Sequence, residues 1–270
     1  MTPEVAVIPA AGRGTRMRPA TRVVPKALLT VVDRPVIQYA VEEAARAGAR
    51  EAVIVVDLDA GHLIQQHFLV EERLPGLEDI RIRPVVQEEA LGLGHAVFEA
   101  REMVRDRPFF CLLADNIVRP GREVLPGLAA ASRDGQSVVC LRRLTDEWLS
   151  RYGVVVPGSE EADGMLEVAG AVEKPGKEAA PSRLGLIGRY LFTPEVFDIL
   201  GDLGPGHGGE IQLTDAIDEL GRRGRCRGYV ADGDLLDVGN PVGLLHAAVV
   251  LGRARYAKEV GPLLEEALEE

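Results

Sequence analysis

Phosphate chemistry is written most plainly between residues 10 and 26, where the chain reads Ala-Ala-Gly-Arg-Gly-Thr-Arg-Met-Arg-Pro-Ala-Thr-Arg-Val-Val-Pro-Lys. Five cations, Arg13, Arg16, Arg18, Arg22 and Lys26, fall within fourteen residues, and no acidic residue occurs between Glu4 and Asp33. Glycines at 12 and 14 let backbone N–H groups approach phosphate oxygens with no Cβ in the way, and the Arg and Lys side chains bring charge-assisted hydrogen bonds. Two familiar phosphate motifs do not fit. The G-x-x-x-x-G-K-[ST] loop is absent, and Met17 stands where G-x-G-x-x-G needs its third glycine. Taken alone, the segment indicates a phosphate cradle but no reaction, and a Gly-rich turn with solvated arginines has the same composition. Two aspartates, Asp115 and Asp237, each follow a short apolar run, Phe109–Leu113 and Leu235-Leu236. Ligands bind at the carboxyl ends of strands in open α/β sheets, although a lone Asp there also reads as a helix N-cap.

Elements of a particular kind must hold these residues. Val5-Ala6-Val7-Ile8-Pro9 is a continuously apolar run of the sort buried inside a parallel sheet. A helical pattern follows from about 35 to 47 and stops at Gly48, and Ala52–Val56 is a second buried strand. Residues 5–56 thus predict a strand–helix–strand unit with parallel strands, the start of a doubly wound sheet. Further strands are expected at 80–86, 109–113, 137–141, 153–156, 185–192 and 226–229, with helices at 94–104, 194–200 and 212–222. Residues 142–192 read mainly as β, with hairpin-like turns at Pro157-Gly158 and Asp163-Gly164. The expectation is an α/β fold with a mixed, mostly parallel, Rossmann-like sheet and a β-rich subregion, all within residues 1–240. Residues 241–270 read as helix, with an apolar stripe at Leu263, Leu264, Ala267 and Leu268 that packs on its own domain or on another subunit; the pattern leaves both open.

Composition narrows the function. The net charge of −11 excludes a protein that coats nucleic acid, which needs surplus cations to displace counterions, so any anionic ligand must meet a local basic patch. Cys111, Cys140 and Cys226 lie far apart with no C-x-x-C pair, which indicates neither a disulfide framework nor a zinc site and suits a reducing cytosol. The apolar N-terminal run is short and lacks a basic flank, so it reads as a strand and not a signal peptide. No run approaches the ~20 apolar residues that span a bilayer.

The segment from Gly12 to Lys26 resembles the G-x-G-T-R-x-x-P-x-T…P-K signature of the sugar-phosphate nucleotidyltransferases, most closely the bacterial uridylyltransferases that use UTP and glucose 1-phosphate. The resemblance continues in order through Asp33-Arg34-Pro35-Val36-Ile37-Gln38-Tyr39, Gly92-Leu93-Gly94-His95-Ala96, Val172-Glu173-Lys174-Pro175 and Gly188-Arg189-Tyr190. It extends to Gly209-Glu210-Ile211-Gln212-Leu213-Thr214-Asp215-Ala216-Ile217 and Asp237-Val238-Gly239-Asn240. It implies that Ala10, Ala11, Gly12, Gly14 and Thr15 hold the nucleotide together with Gln87 and Gly92, whose amide and backbone meet a pyrimidine edge. Arg16, Lys26 and Lys174 would be catalytic, Asp115 and Asp237 would bind Mg²⁺, and Gly153, Glu173, Lys174 and Arg189 would hold the sugar phosphate. The five histidines, His95 included, are expected to be structural or surface residues. A homo-oligomer, dimer or tetramer, is implied as well.

The chemistry needs no general base. A sugar 1-phosphate has a second pKa near ~6 and is largely dianionic at neutral pH, so it is a competent nucleophile. Alignment and charge neutralisation are what the protein must supply, and no Ser–His–Asp or Cys–His arrangement is called for. Three departures bear on substrate identity. Arg22 stands for a usual Lys, Ala27-Leu28-Leu29-Thr30 replaces E-M-L-P, and the stretch from Val56 to Gln87 is shorter than usual. A thymidylyltransferase would share most of these residues, but Gly208 occupies the place of its Arg before Gly209-Glu210. A non-catalytic nucleotide-sugar sensor would be expected to lose Asp115, Lys26 or Lys174, and all three are present.

Overall fold

In the computed structural model, residues 2–58, 60–68, 74–133, 135–161, 164–231 and 235–269 are described. The chain runs β1 (Val5–Pro9), a loop of short 3₁₀ turns, the small hairpin β2 (Thr30–Val31) and β3 (Arg34–Pro35), α1 (Val36–Arg46), β4 (Glu51–Val56), α2 (Gly61–Phe68) and β5 (Arg81–Val86). It continues through α3 (Leu93–Phe98), α4 (Arg101–Val104), β6 (Phe109–Leu112), β7 (Asn116–Val118), α5 (Leu125–Ala131), β8 (Ser137–Arg143), β9 (Val154–Glu160) and β10 (Met165–Val172). The last elements are α6 (Gly176–Ala179), β11 (Leu184–Phe192), α7 (Glu195–Asp202), α8 (Leu213–Arg222), β12 (Cys226–Val230), β13 (Leu235–Asp237), α9 (Pro241–Arg255) and α10 (Ala257–Glu269).

Nine strands form one sheet in the order β5-β4-β1-β6-β11-β8-β12-β10-β9. The first four strands are mutually parallel, as the strand–helix–strand reading of residues 5–56 requires. From β6 onward most pairings turn antiparallel, with β8–β12 the parallel exception. Because side chains alternate along a strand, β1 feeds both cores: Ala6 and Ile8 pack with Ile37, Val41 and Ile64, and Val5 and Val7 with Val97, Phe109 and Ile217. Both faces are covered by helices, which is why β1 and β4 are apolar at nearly every position.

Three local expectations change. The single helix over 94–104 is two, α3 and α4, joined at Ala100, where tight i→i−3 bonds from Ala100 to Val97 and Met103 to Ala100 replace the regular ladder. Pro157-Gly158 makes no turn: β9 runs through it as the sheet's edge strand, where a missing N–H is tolerated and the register against β10 slips. Asp163, in the other expected turn, lies outside the described residues. The antiparallel pair β7–β13, with Asn116 opposite Asp237, was not anticipated, and it sits apart from the main sheet. Helix α9 packs on β13 and on the β2 side, burying Ala247 and Leu251 among Val31, Val36, Ile117, Leu236 and Val238.

Candidate active site

A cleft of about 550 Å³ opens beyond the carboxyl ends of β1, β5 and β6. Ala10, Ala11, Gly12, Gly14, Thr15, Arg16, Lys26, Gln87, Gly92 and Asp115 all line it. The sequence segments 10–26, 87–92 and 115 therefore converge because parallel strands deliver their C-terminal loops to one side of the sheet.

The basic loop is folded back on itself. Gly14 adopts a left-handed conformation (φ 58°), and a Cβ there would lie 2.9 Å from Thr21 Cγ2 and 3.0 Å from Lys26 Cβ, so only glycine fits. The Thr21 hydroxyl donates to the Gly14 carbonyl at 2.8 Å and closes the loop. Arg13, Arg16, Arg18 and Arg22 are exposed, and among the described residues none is paired with a carboxylate. Their charge is left for a ligand. Ala27, at the position where the family pattern has Glu, is buried beneath the loop and borders the cleft.

Lys26 differs from these arginines. Its ammonium donates to Asp115 Oδ2 at 2.6 Å. Asp237 reaches the same place from β13, its Oδ1 accepting from Gly239 N–H at 2.7 Å. A Cβ on Gly239 would lie 2.8 Å from Asp237 Oδ1, 3.4 Å from Asp115 Oδ2 and 3.5 Å from Lys26 Nζ. The two carboxylates and the ammonium thus gather around one glycine, which the β7–β13 pairing makes possible. Burial would raise the Asp115 carboxyl, but Lys26, helped by Arg16, holds it below the ordinary carboxylate value. Tyr152 stands nearby: burial, with the negative charges of Asp237 and Asp115, pushes its hydroxyl up to about 12, so it remains a protonated donor. Among the described residues no three metal-capable side chains gather, so the chain offers two carboxylates and a bound divalent cation would take its remaining oxygens from phosphate and water. That donor set fits Mg²⁺.

Gln87, expected at a pyrimidine edge, is buried, and its Nε2 donates to the Gly92 carbonyl at 3.2 Å and meets His95 Nδ1 at 2.9 Å. His95 Nε2 lies 3.1 Å from a Glu99 carboxylate oxygen. The network fixes the amide. Glu99 requires N–H at Nε2, which in a neutral ring leaves Nδ1 an acceptor, and the Gly92 carbonyl is also an acceptor. Both amide hydrogens of Gln87 are then committed and its Oε1 is the free acceptor. Gly92 (φ 118°) is pressed against the chain at 210–211, with a would-be Cβ 2.6 Å from the Ile211 carbonyl, and Gly94 N–H donates to that same carbonyl at 2.8 Å.

Segment 206–214 then leads to a second cluster outside the cleft. Thr214 Oγ1 donates to Glu173 Oε2 at 2.6 Å, and Lys174 Nζ is 2.6 Å from Glu173 Oε1. Gly153 packs against Thr214, its would-be Cβ 2.7 Å from Oγ1. Adjacent residues in extended backbone point apart, and the Glu173–Lys174 contact is possible because Lys174 is left-handed (φ 46°). Gly153, Glu173 and Lys174 are therefore together. Asp215 lies beside them, its carboxyl raised by burial and by Glu173 and Asp218.

Arg189 is a correction. Expected at the sugar phosphate, it is fully buried in the core, its guanidinium on Glu43 of α1 at 2.9–3.1 Å and on the carbonyls of Leu113, Gly188 and Asn116. An arginine in a nine-residue strand buried along its whole length cannot reach solvent. The reading also passed over His95 as an organiser of Gln87, and over Thr214 and Glu210, both inside the G-E-I-Q-L-T-D match. Glu210 borders the cleft and accepts from Gln212 at 3.3 Å.

The family described as Nucleotidyl transferase matches residues 5–253. UTP–glucose-1-phosphate uridylyltransferase 2 of Staphylococcus saprophyticus is 39% identical over 262 residues, covering 90% of this chain and 90% of that protein. The UTP–glucose-1-phosphate uridylyltransferase of Bacillus subtilis is 39% identical over 260 residues, covering 89% of this chain and 88% of that protein. Among solved structures, a UDP-glucose pyrophosphorylase complexed with UDP-glucose superposes with a TM-score of 0.86 at 33% identity, over 95% of this chain and 99% of that one. A UTP-bound UGPase from Acinetobacter baumannii gives 0.82 at 30% identity over 99% of each chain. The chain belongs to the nucleotidyl transferase family and is a nucleotidyltransferase.

Proposed function

We propose that the chain transfers a uridylyl group from UTP to glucose 1-phosphate, giving UDP-glucose and pyrophosphate, with Mg²⁺ as cofactor. The observation that carries this reading is the convergence in one cleft of the Gln87 amide, a loop whose arginines pair with no carboxylate among the described residues, and Asp115, with Asp237 gathered beside it around Gly239 at the cleft wall. Gln87 presents a carbonyl oxygen, which accepts from the N3–H of uracil and would face the bare N3 acceptor of cytosine. Gly92 and the backbone of Ala10, Ala11 and Gly12 border the same space, with Gly14, Thr15 and Arg16 following along the triphosphate. The relatives' names support the same pair of substrates.

In the reaction, an oxygen of the sugar phosphate attacks the α-phosphorus of UTP in line, the bond to the β-phosphate oxygen breaks, and pyrophosphate departs with that electron pair. Arg16 and Lys26 neutralise the triphosphate and the leaving pyrophosphate. Lys174 holds the attacking phosphate, while Glu173, steadied by Thr214, accepts from sugar hydroxyls beside Gly153. Asp115 and Asp237 would hold Mg²⁺, whose contribution when bound is to neutralise charge on the nucleotide's phosphate oxygens. Residues 1–240 would form the catalytic domain. The 241–270 segment, which exposes Val242, Leu245 and Leu263, would join subunits of a homo-oligomer in the cytosol, a compartment that three buried free thiols suit.

The test is pyrophosphate release from a panel of nucleoside triphosphates and sugar 1-phosphates, with Mg²⁺ and with a chelator. Chelator-sensitive release that favours UTP with glucose 1-phosphate is the expected result. Preference for another pair would replace the named substrates, and no release from any pair would overturn catalysis.

A further inference from the structure

We propose that Arg189 is a positioning residue for the metal-binding carboxylate: anchored on Glu43, its guanidinium fixes the turn Leu113–Asn116 and so aims Asp115 at the space it shares with Asp237. The inference rests on the reading of these two aspartates as Mg²⁺ ligands.

The sequence builds the device locally. Strand β11 faces β8 with Leu186 opposite Leu141 and Tyr190 opposite Val139, four steps along one strand against two along the other. The surplus is a bulge at Ile187-Gly188-Arg189, with Gly188 left-handed at φ 76°. A Cβ on Gly188 would lie 2.9 Å from Leu113 Cγ, so glycine lets the bulge sit directly under the end of β6. The bulge re-aims Arg189 into the interior, where it makes contacts on both sides of Ala114-Asp115. Nη1 donates to the Leu113 carbonyl at 3.1 Å and Nη2 to the Asn116 carbonyl at 2.6 Å. Of the other donors, Nη1 also reaches the Gly188 carbonyl at 3.0 Å, and Nε and Nη2 are committed to Glu43, whose helix α1 also packs near β7. On the opposite side the Asp115 carbonyl accepts from Val238 N–H at 2.9 Å, next to Asp237. The backbone of Asp115 is therefore held from the core by Arg189 and from β13 by Val238.

Charge pairing alone does not require this arrangement. A buried ion pair is commonly replaceable by packed apolar residues, and its two partners need touch only each other. Here the planar fork spends two hydrogen bonds on carbonyls that flank one functional carboxylate, in a turn that the Asn116 N–H also closes onto the Leu113 carbonyl at 3.3 Å. Lysine has the charge but not the fork.

The experiment follows Mn²⁺ binding to the full chain by electron paramagnetic resonance, with saturating UTP and without sugar phosphate, alongside thermal melts and metal-free UTP binding. The proteins compared are wild type, Arg189→Lys and Asp115→Asn. Arg189→Lys is expected to lower the Tm and, while still folded, to weaken Mn²⁺ binding by between about tenfold and a hundredfold, the range for a residue that orients a ligand. Metal-free UTP binding is expected to change less than about twofold, because Arg189 touches no nucleotide-side group. If Arg189→Lys does not fold, Glu43→Gln, which keeps an acceptor but loosens the anchor, serves in its place with the same expectation. A lowered Tm with wild-type Mn²⁺ affinity would overturn the proposal and leave Arg189 a core ion pair. Equal Mn²⁺ affinity in wild type and Asp115→Asn would overturn the metal reading beneath it, an outcome recognisable without any Arg189 variant.

Discussion

Asp115 is the residue on which most of the chemistry converges, and its pairing with Lys26 gives it a testable signature in the free protein. Its carboxyl is lower in the folded chain than the ordinary value of 3.8, so the unfolded chain binds that proton more readily. The stability it contributes is then complete above the ordinary carboxylate value and fades as pH falls through the lower folded one. Thermal melts of wild type and Asp115→Asn should show a constant gap near neutral pH that closes once the solution is more acidic than the carboxylate range. A gap that survives full acidification would remove the Lys26 pair from the account. The same variant should lose Mg²⁺-dependent turnover by about a hundredfold or more, with its circular dichroism unchanged. At the base end, His95→Leu frees one amide hydrogen of Gln87 and lets the side chain turn. UTP affinity measured calorimetrically in chelator should fall about tenfold, ~1.4 kcal/mol. Unchanged affinity would return His95 to the role of a surface histidine.

At the scale of elements, the segment just after β10 carries one of the three non-glycine residues with positive φ among the described residues, beside Val32 and Arg105. Lys174 is a non-glycine residue with φ 46°, a conformation that disfavours a Cβ by about 1–2 kcal/mol. Strain of this kind persists where a side chain is needed in a set position, here over Glu173. Lys174→Gly should therefore be more stable than Lys174→Ala by about 1 kcal/mol in denaturant melts. Both should raise KM for glucose 1-phosphate by about tenfold or more while leaving KM for UTP nearly unchanged. If glycine confers no advantage, the backbone here is not strained; if KM is unmoved, Lys174 is not the phosphate ligand. The strands that end near Pro9 and Leu112 were legible because their continuous apolar runs give way within a few residues to Gly12 and Asp115. The β7–β13 pair was not, since two three-residue strands separated by more than a hundred residues leave no local pattern.

For the molecule as a whole, exposed apolar residues stand on the basic loop at Val23 and at Leu58, and a further group lies on the C-terminal pair of helices. Val242 is 76% exposed, Leu245 66% and Leu263 63%, whereas Ala247 and Leu251 of the same hairpin are buried on the domain. Helix α9 thus has one face on its own chain, and the other is expected to meet a second copy. Sedimentation should find an oligomer, and Val242→Gln with Leu245→Gln should shift it toward monomer without loss of Tm in the monomeric species. A wild-type chain that is monomeric at high micromolar concentration would refute this.

By itself the sequence determined the parallel half of the sheet, the segregated basic loop, and the family. Each of these depends on short-range information: apolar runs of strand length, charge segregated over fourteen residues, and glycines where backbone must approach a ligand. Tertiary structure alone decided how distant segments meet. It put Lys26 on Asp115, brought Asp237, 122 positions further along by number, to the same glycine, joined Thr214 to Glu173, and placed His95 behind Gln87. It also withdrew Arg189 from the sugar phosphate, because a motif records which residue is present but not which side of a bulged strand it faces. Direction is set by register, and register is set by every neighbouring strand at once.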